Sequence, residues 1–281
     1  MEFNDILSGA RNDSGSATIP AGWTQGRATF GGLAAALLYQ PIESTLEAVT
    51  QGTIVDTPLR SLTFSFVAPA AAGELATRTQ VLRAGRSAVQ IEAHAAQGDQ
   101  VVTAALASFG KPRESAAAVS PEPAPQFKAP DQCEALPYIE GLMPEFSQHF
   151  DYRLAAGALP FTGSTDTHLG GWIRFKKPAG PITTGHLLAL IDAWPPAILS
   201  QLKTLAAASS LTWTLELTPA AHRAKAEASA ASAESNESND WWQYQAEVEQ
   251  SEDGYAVIRA RLWNANGELI AFSRQTVTVF G

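Results

Sequence analysis

The chain has 281 residues, of which 45% are hydrophobic and 17% charged, and its formal net charge is −9. This length suits one large domain or two of ordinary size, and the negative charge argues against nucleic acid or an anionic membrane as the main partner. No apolar run reaches the ~18 residues that a membrane span needs, the N-terminus lacks a secretion-signal pattern, and Cys133 is the only cysteine. We therefore predict a cytoplasmic globular protein with neither a nucleic-acid nor a membrane partner.

The first half of the sequence predicts a short strand, one apolar helix and then four alternating strands. The strand lies near "SATIPAGWTQGR" and the helix at "FGGLAAALLY"; the four strands are "LTFSFVA", "ELATRTQVLRAG", "SAVQIEAHAAQ" and "QVVTAALASFG". Alternation of apolar and polar residues is typical of strands with one buried face. This half would thus pack one helix on an antiparallel sheet, which is an α+β arrangement.

The second half repeats this order of elements. An early strand is predicted near "LGGWIRFKKP", a helix at "TTGHLLALIDAW", and strands at "SLTWTLELT", "WWQYQAEVEQ", "YAVIRARLWNA" and "LIAFSRQTVTVF". Two matched blocks link the halves, one at an offset of 149 residues and a later one at 169. The polar, low-complexity stretch 221–240 has the length of the 20-residue difference, so we predict that it is a surface insertion.

The repeat defines a predicted domain organisation. An N-terminal repeat spans 1–112, a Pro- and Ala-rich linker spans 113–150, and a C-terminal repeat spans 151–281 and contains the insertion. The linker assignment follows from its content of Pro, Ala and charged residues.

Two polar residues do not fit the apolar pattern of the second half. Asp192 lies in the helix segment "HLLALIDAWPPAILSQL", where a carboxylate is costly unless it is paired or functional. The prolines that follow it also allow an ordinary helix end with an exposed Asp192. Gln275 is an uncharged hydrogen-bonding residue within the last strand. At the 169-residue offset Gln275 aligns with Leu106, so the first half lacks this polar residue.

The helix position that aligns with Asp192 is also not acidic in the first half. Counting from the glycine that begins each helix, Asp192 aligns with Leu38 or Tyr39. The N-terminal repeat is therefore predicted to be a structural partner of the second half.

The order of these segments resembles the acyl-CoA thioesterase II group of double-hotdog enzymes. The matching segments are "TFGGLAAALLYQ", "RSLTFSFVAPAAAGE", "VLRAGRSAVQIEAHAAQGDQVVTAALASF", "GHLLALIDAW", "SSLTWTLEL" and "DGYAVIRARLWNANGELIAFSRQ". The resemblance implies two β-helix-β-β-β repeats, with a long antiparallel sheet wrapped around central helices. It also implies hydrolysis of an acyl-CoA substrate without a metal or an organic cofactor, and sheet-edge association into homo-oligomers.

The resemblance also implies three catalytic residues in the second repeat. The helix Asp falls on Asp192 and the last-strand Gln on Gln275. The third residue is a hydroxyl, for which the catalytic candidates are Ser209 and Ser210, with Thr212 less favoured. Strand alternation puts Ser210 and Thr212 on one face and Ser209 on the other. Such a set would orient and activate one water.

Substrate-binding candidates follow from residue chemistry. Gly31 and Gly32 at the start of the first helix would let backbone N–H groups approach the thioester oxygen, as would Gly185. Arg83 and Arg86 could bind the phosphates of CoA.

The remaining candidates are an aromatic residue and the histidines. Trp213 could line an acyl pocket. We expect His186 to be a surface residue at a helix end, and the five histidines lack the spacing of a metal site.

Two other functions remain open from the sequence. A double-hotdog hydratase or dehydratase would act on acyl thioesters, and it usually carries an Asp–His pair in a polar motif that this sequence lacks. A non-catalytic acyl-CoA- or lipid-binding protein would keep the fold without turnover.

Overall fold

The protein is described by a computed structural model covering residues 1–12, 15–51, 57–223 and 241–280. The helices with both ends described are α1 (Phe3–Asn12), α2 (Gly31–Val49) and α3 (Thr184–Asp192), with 3₁₀ turns at Pro130–Gln132, Glu145–His149 and Ala197–Gln201. The strands of the first half are β1 (Ser16–Ile19), β2 (Thr24–Gln25), β3 (Ala28–Thr29), β4 (Leu59–Phe66), β5 (Gly73–Ala84), β6 (Ala88–Gln97) and β7 (Gln100–Gly110). Those of the second half are β8 (Glu134–Ala135), β9 (Phe150–Gly157), β10 (His168–Phe175), β11 (Ala208–Leu217), β12 (Trp242–Glu252), β13 (Tyr255–Trp263) and β14 (Leu269–Val279).

Twelve strands form one antiparallel sheet in the order β1-β5-β6-β7-β4-β11-β14-β13-β12-β10-β9-β8, while β2 and β3 pair separately. The two halves of the chain meet at the centre, where β4 pairs with β11 and Phe64 lies opposite Trp213. These residues also occupy matching positions in the repeated blocks. The predicted α+β double hotdog is confirmed, because each half contributes one run of strands to a continuous sheet.

The helices α2 and α3 pack antiparallel to each other against the inner face of the sheet. Twelve of the 19 residues of α2 are buried, as its nearly unbroken apolar sequence requires. Gly32 allows close contact between the helices, since a Cβ atom there would lie 3.0 Å from the Cα of Ala189. The C-terminal end of α3 is thereby brought to the N-terminal end of α2.

Several elements were not predicted from the sequence. Helix α1 buries Phe3, Ile6 and Leu7 against the core. The segment predicted as a linker contains two of the 3₁₀ turns and the short strand β8, which pairs with β9. The domain boundaries themselves stay a prediction.

Most of the predicted surface insertion, 224–240, lies outside the described residues. Its first residue, Ala221, is buried in the core, so the prediction of a surface segment was wrong at that position. In the part of the chain that is described, no helix combines the length and apolarity needed to cross a membrane.

Candidate functional site

Asp192 is the last residue of α3, and its carboxylate faces the first turn of α2. The Gly32 backbone N–H donates a hydrogen bond to this carboxylate, and the positive end of the α2 dipole favours negative charge there. A Cβ atom on Gly31 would lie 2.7 Å from Asp192 Oδ2, so a side chain at Gly31 would displace the carboxylate. The two glycines that the sequence singled out are therefore next to Asp192.

Gln275 projects from β14 toward the same carboxylate. Its Nε2 atom donates a hydrogen bond of 2.6 Å to Asp192 Oδ1. A bond to an ionised acceptor is short and stronger than one between neutral groups. This contact joins residues 83 positions apart in the chain, as the resemblance implied.

Ser210 completes the polar set through Gln275. Its hydroxyl donates to Gln275 Oε1 at 3.3 Å, which leaves the amide oriented with its N–H group toward Asp192. The chain of hydrogen bonds runs from Ser210 through Gln275 to Asp192.

A β-bulge decides which hydroxyl takes part. Ser210 pairs with Val277 and Thr212 pairs with Thr276, so Leu211 is an extra residue in β11. The bulge puts Thr212 on the opposite face from Ser210. The expectation that these two residues share a face was therefore wrong, because simple alternation does not hold across a bulge.

Ser209 also lies on the face away from the carboxylate. It pairs with Thr278, whose side chain points to the opposite face of β14 from those of Val277 and Gln275. Of the three hydroxyl candidates, the structure brings only Ser210 to Gln275, within the part of the chain that it describes.

Burial raises the pKa of Asp192 from its ordinary value of 3.8 to about 7, although the hydrogen bonds from Gln275 and Gly32 lower it. Desolvation wins because it disfavours the charged carboxylate more than two donors stabilise it. The residue as a whole is half-buried. A carboxyl group with a pKa near neutrality is suited to accept a proton.

An aromatic cluster lies beside Asp192 and was missed from the sequence. Trp194 stacks on Tyr244 with centroids 5.6 Å apart and meets Tyr152 edge-on at 5.4 Å. Burial, reinforced by the Asp192 charge, raises the pKa of both tyrosines. These apolar surfaces contribute to the desolvation of Asp192. Only Trp194 is close to Asp192 in sequence, so pattern analysis gave no sign of the other two.

Trp213 is fully buried next to the polar set. Its Nε1–H donates to Ser273 Oγ at 2.8 Å, and its ring stacks on Phe64. Trp213 is paired with Gln275 across β11 and β14, so its ring packs beside Gln275 on the same face of the sheet. Its predicted contact with an acyl chain stays a prediction.

Arg83 and Arg86 are not brought to Asp192. Arg83 lies near the end of β5 and Arg86 in the turn that follows. That turn adjoins Val49 at the C-terminal end of α2, about 27 Å along the helix from Gly31 at 1.5 Å per residue. Their predicted role in binding CoA phosphates is untested.

His186 is buried rather than exposed, so the expectation of a surface histidine was wrong. It is 1% exposed, and Nε2 contacts Asn4 Oδ1 at 2.8 Å while Nδ1 accepts from the backbone N–H of Thr183. Helix α1, which brings Asn4, was not foreseen. Among the residues that the structure describes, no three His, Cys, Asp or Glu side chains gather as a metal-binding group.

The first half lacks this polar set at its equivalent positions. Strand pairing aligns Gln275 with Ala105, because Gln275 lies opposite Trp213 and Ala105 lies opposite Phe64. The sequence alignment with Leu106 was one residue out of step, and Leu106 is on the exposed face of the sheet.

The helix equivalent of Asp192 is Tyr39. Its hydroxyl forms a hydrogen bond with the Thr184 side chain at the start of α3. The Tyr39 hydroxyl is thus bonded to a helix residue in the core, whereas Asp192 is bonded to an amide side chain on a strand.

Solved structures share this fold across nearly the whole chain. A conserved protein with a hot dog fold from Alicyclobacillus acidocaldarius is 22% identical with a TM-score of 0.76, covering 98% of each chain. A candidate thioesterase II from Thermobifida fusca YX is 17% identical with a TM-score of 0.73, covering 99% of this chain and 97% of the other. The tesB protein of Mycobacterium avium subs paratuberculosis is 17% identical with a TM-score of 0.70, covering 100% of both.

No curated protein matches the chain in sequence. Two family models do match: the acyl-CoA thioesterase N-terminal domain over residues 19–110 and the acyl-CoA thioesterase C-terminal domain over residues 130–279. The second of these alone covers more than half of the sequence. The chain therefore belongs to the acyl-CoA thioesterase family.

Proposed function

We propose that this protein hydrolyses an acyl-CoA thioester to a free acid and CoA at the site formed by Asp192, Gln275 and Ser210. The observation that carries the proposal is the 2.6 Å contact between the Gln275 amide and the Asp192 carboxylate at the start of α2. Family membership supports thioester hydrolysis in general. The acyl-CoA substrate and the three residue roles belong to the proposal.

Asp192 is the general base in this mechanism. One carboxylate oxygen of Asp192 accepts a hydrogen bond from Gln275. The remaining lone pairs of the carboxylate can accept a proton from water. As the water oxygen attacks the thioester carbonyl carbon, its proton moves to Asp192. Ser210 and Gln275 are positioning residues, because their hydrogen bonds fix the carboxylate without adding charge.

The first turn of α2 stabilises the charge that develops on the carbonyl oxygen. The Gly32 N–H already donates to Asp192, and the N–H groups of Leu33 and Ala34 donate to Phe30 O. The Gly31 N–H at the helix start is therefore the donor that we assign to the oxyanion. When the tetrahedral intermediate collapses, the C–S bond breaks, and the proton held by Asp192 passes to the departing sulfur. The products are the carboxylic acid and the CoA thiol, with one water consumed.

The hydratase or dehydratase alternative is less well supported. The hydrogen-bond partners of Asp192 are Gln275 and Gly32, and neither is an acid or base at neutral pH. His186 is at the other end of α3, bonded to Thr183 and Asn4. An Asp–His pair for addition or removal of water is thus absent from the described residues around Asp192.

The test is a panel of acyl-CoA thioesters of different chain length and structure, with release of free thiol as the readout. The proposal predicts hydrolysis of at least one member by the wild type. Binding without turnover across the panel would favour the acyl-CoA-binding alternative instead. Asp166→Asn is a suitable control for a variant of Asp192, because Asp166 is exposed and its hydrogen bonds within the described chain are to Ser164 and Gln201.

A further inference from the structure

A polar cavity lies at the C-terminal end of α2, far from Asp192. It has a volume of about 210 Å³ and is lined by Val49 and Thr50 from the helix end, by Thr57, by the turn between β5 and β6, and by Lys111. The thioester site described above uses none of these residues. The volume would hold several waters or one small oxyanion.

Positive charge is concentrated around this cavity. Arg86 and Lys111 line it, Arg83 folds back so that its Nε lies 3.5 Å from a Cβ built on Gly85, and Arg60 donates to Gly110 O. None of the four has a carboxylate within 4.0 Å among the residues that the structure describes, unlike Arg174 or Arg259. In a chain of net charge −9, such a cluster is an unusual local field, and it attracts anions.

A buried hydroxyl points to a ligand independently of the charges. Thr57 lines the cavity and is 2% exposed, yet its Oγ1 has no hydrogen-bond partner in the described structure. A buried polar group without a partner costs folding free energy. An oxyanion in the cavity would accept from this hydroxyl and from the two cationic side chains.

The cavity walls are fixed by the backbone. The Lys111 N–H donates to Ser87 O at 2.9 Å, and the Gly110 N–H donates to Pro58 O at 3.0 Å. These bonds tie the turn between β5 and β6 to the end of β7 and to the segment before β4. The backbone segments that carry Arg86 and Lys111 are therefore fixed side by side at this pocket, which reduces the entropy cost of binding.

We propose that this cavity is a phosphoryl-binding site, in which Arg86, Lys111 and the Thr57 hydroxyl bind the oxygens of a phosphate group. Arginine and lysine are the residues that bind phosphate most often, and a hydroxyl adds a neutral donor. The phosphate belongs either to the CoA part of the substrate or to a separate phosphorylated ligand. The site exists independently of the proposed hydrolysis, although the first source would connect the two.

The test measures binding of inorganic phosphate and of CoA by calorimetry at constant ionic strength. We compare the wild type with Arg86→Gln/Lys111→Gln, with Thr57→Val and with Arg78→Gln. Arg78 is the control, because it is an exposed arginine on the same strand as Arg83, has no ion pair with any described residue and lies outside the cavity. We expect the double variant to bind phosphate at least about tenfold more weakly, as loss of charge-assisted bonds predicts, and Arg78→Gln to bind as the wild type does.

Kinetics then identify the source of the phosphate. A higher KM for acyl-CoA, with no change for a thioester truncated at pantetheine, assigns the site to CoA. Loss of phosphate binding with both KM values unchanged assigns it to a separate ligand.

The proposal is overturned if the wild type does not bind phosphate, or if the double variant binds it equally well. A lower melting temperature of the variants, without phosphate binding by the wild type, would mean that the cations only offset the negative end of α2. Phosphate binding without any thioester hydrolysis would refute the proposed function and leave this site standing.

Discussion

The two ends of the α2–α3 helix pair occupy equivalent positions in the repeat but have different chemistry. At one end the Asp192 carboxylate meets the start of α2 and binds the Gln275 amide. At the other end Tyr39 meets the start of α3 and bonds to Thr184, while the strand position of Gln275 is taken by Ala105. The fold thus supplies a helix N-terminus twice, and a base and an orienting amide are present at one of them.

The two ends also differ in what covers them. Helix α1 packs over the start of α3, where Leu7 Cδ1 would lie 2.9 Å from a Cβ on Gly185. Asn4 of the same helix bonds to His186. The Tyr39 end is therefore filled by the protein's own N-terminal segment, whereas Asp192 keeps accessible surface.

The largest expected effect is at Asp192. Asp192→Asn keeps the shape of the side chain and removes the base, so we expect kcat/KM for an acyl-CoA to fall by about 10²–10⁴-fold, the usual contribution of a general base. The measurement is initial-rate thiol release, with Asp166→Asn as the control. An Asn variant that keeps the wild-type rate would show that the two ends do not differ in function.

Stability provides an internal check on the same variant. Since the folded-state pKa of Asp192 is raised, the wild type loses stability as pH rises from about 4 through 7, because the unfolded chain releases its proton first. Asp192→Asn lacks this loss. We expect its unfolding free energy to exceed that of the wild type by more at pH 8 than at pH 4, so lost activity would not reflect unfolding.

Gln275→Leu should have the next largest effect. It removes the donor to Asp192 Oδ1 and leaves the carboxylate poorly oriented, so we expect kcat/KM to fall roughly tenfold to a hundredfold, as for a hydrogen bond to a charged group. Thr276→Val is the control on the same strand, because Thr276 lies on the opposite face. Equal kcat/KM values for the two variants would show that Gln275 does not take part in catalysis.

Ser210 separates the hydroxyl candidates. Ser210→Ala should lower kcat/KM by up to about tenfold, because it removes a neutral donor to Gln275 Oε1. Ser209→Ala and Thr212→Val should retain the wild-type value, since both side chains lie on the other face of β11. A larger loss in either of those two than in Ser210→Ala would contradict the position of the bulge.

The smallest kinetic effect should come from the first repeat. Tyr39→Phe removes the hydrogen bond to Thr184, which we expect to lower the unfolding free energy by about 1 kcal/mol. Chemical denaturation measures that change, while kcat/KM should stay within about twofold of wild type. A loss of activity comparable with that of Gln275→Leu would mean that both ends take part in catalysis.

Much of this comparison could be predicted from the sequence. The apolar helix around Asp192 and the alternating strand around Gln275 made both residues visible as exceptions to a hydrophobic pattern. The repeat identified the halves, and the resemblance indicated which polar residues belong together. These signals are local or depend on the order of segments along the chain, and both properties are present in the sequence itself.

The remaining features depend on strand pairing and on packing. An extra residue such as Leu211 leaves the hydrophobic pattern almost unchanged but reverses the face of Thr212. The same one-residue sensitivity misaligned Gln275 with Leu106. Tyr152 and Tyr244 reach Asp192 from strands distant in sequence, and no local pattern marks them.

The pH dependence of kcat/KM for acyl-CoA hydrolysis tests the central claim most directly. With Asp192 as the base at a pKa of about 7, the wild-type rate should rise tenfold per pH unit below that value and level off above it. The residual rate of Asp192→Asn should lack this step. A wild-type profile that is flat across neutral pH, or an identical step in the variant, would contradict the assignment of Asp192 as the base.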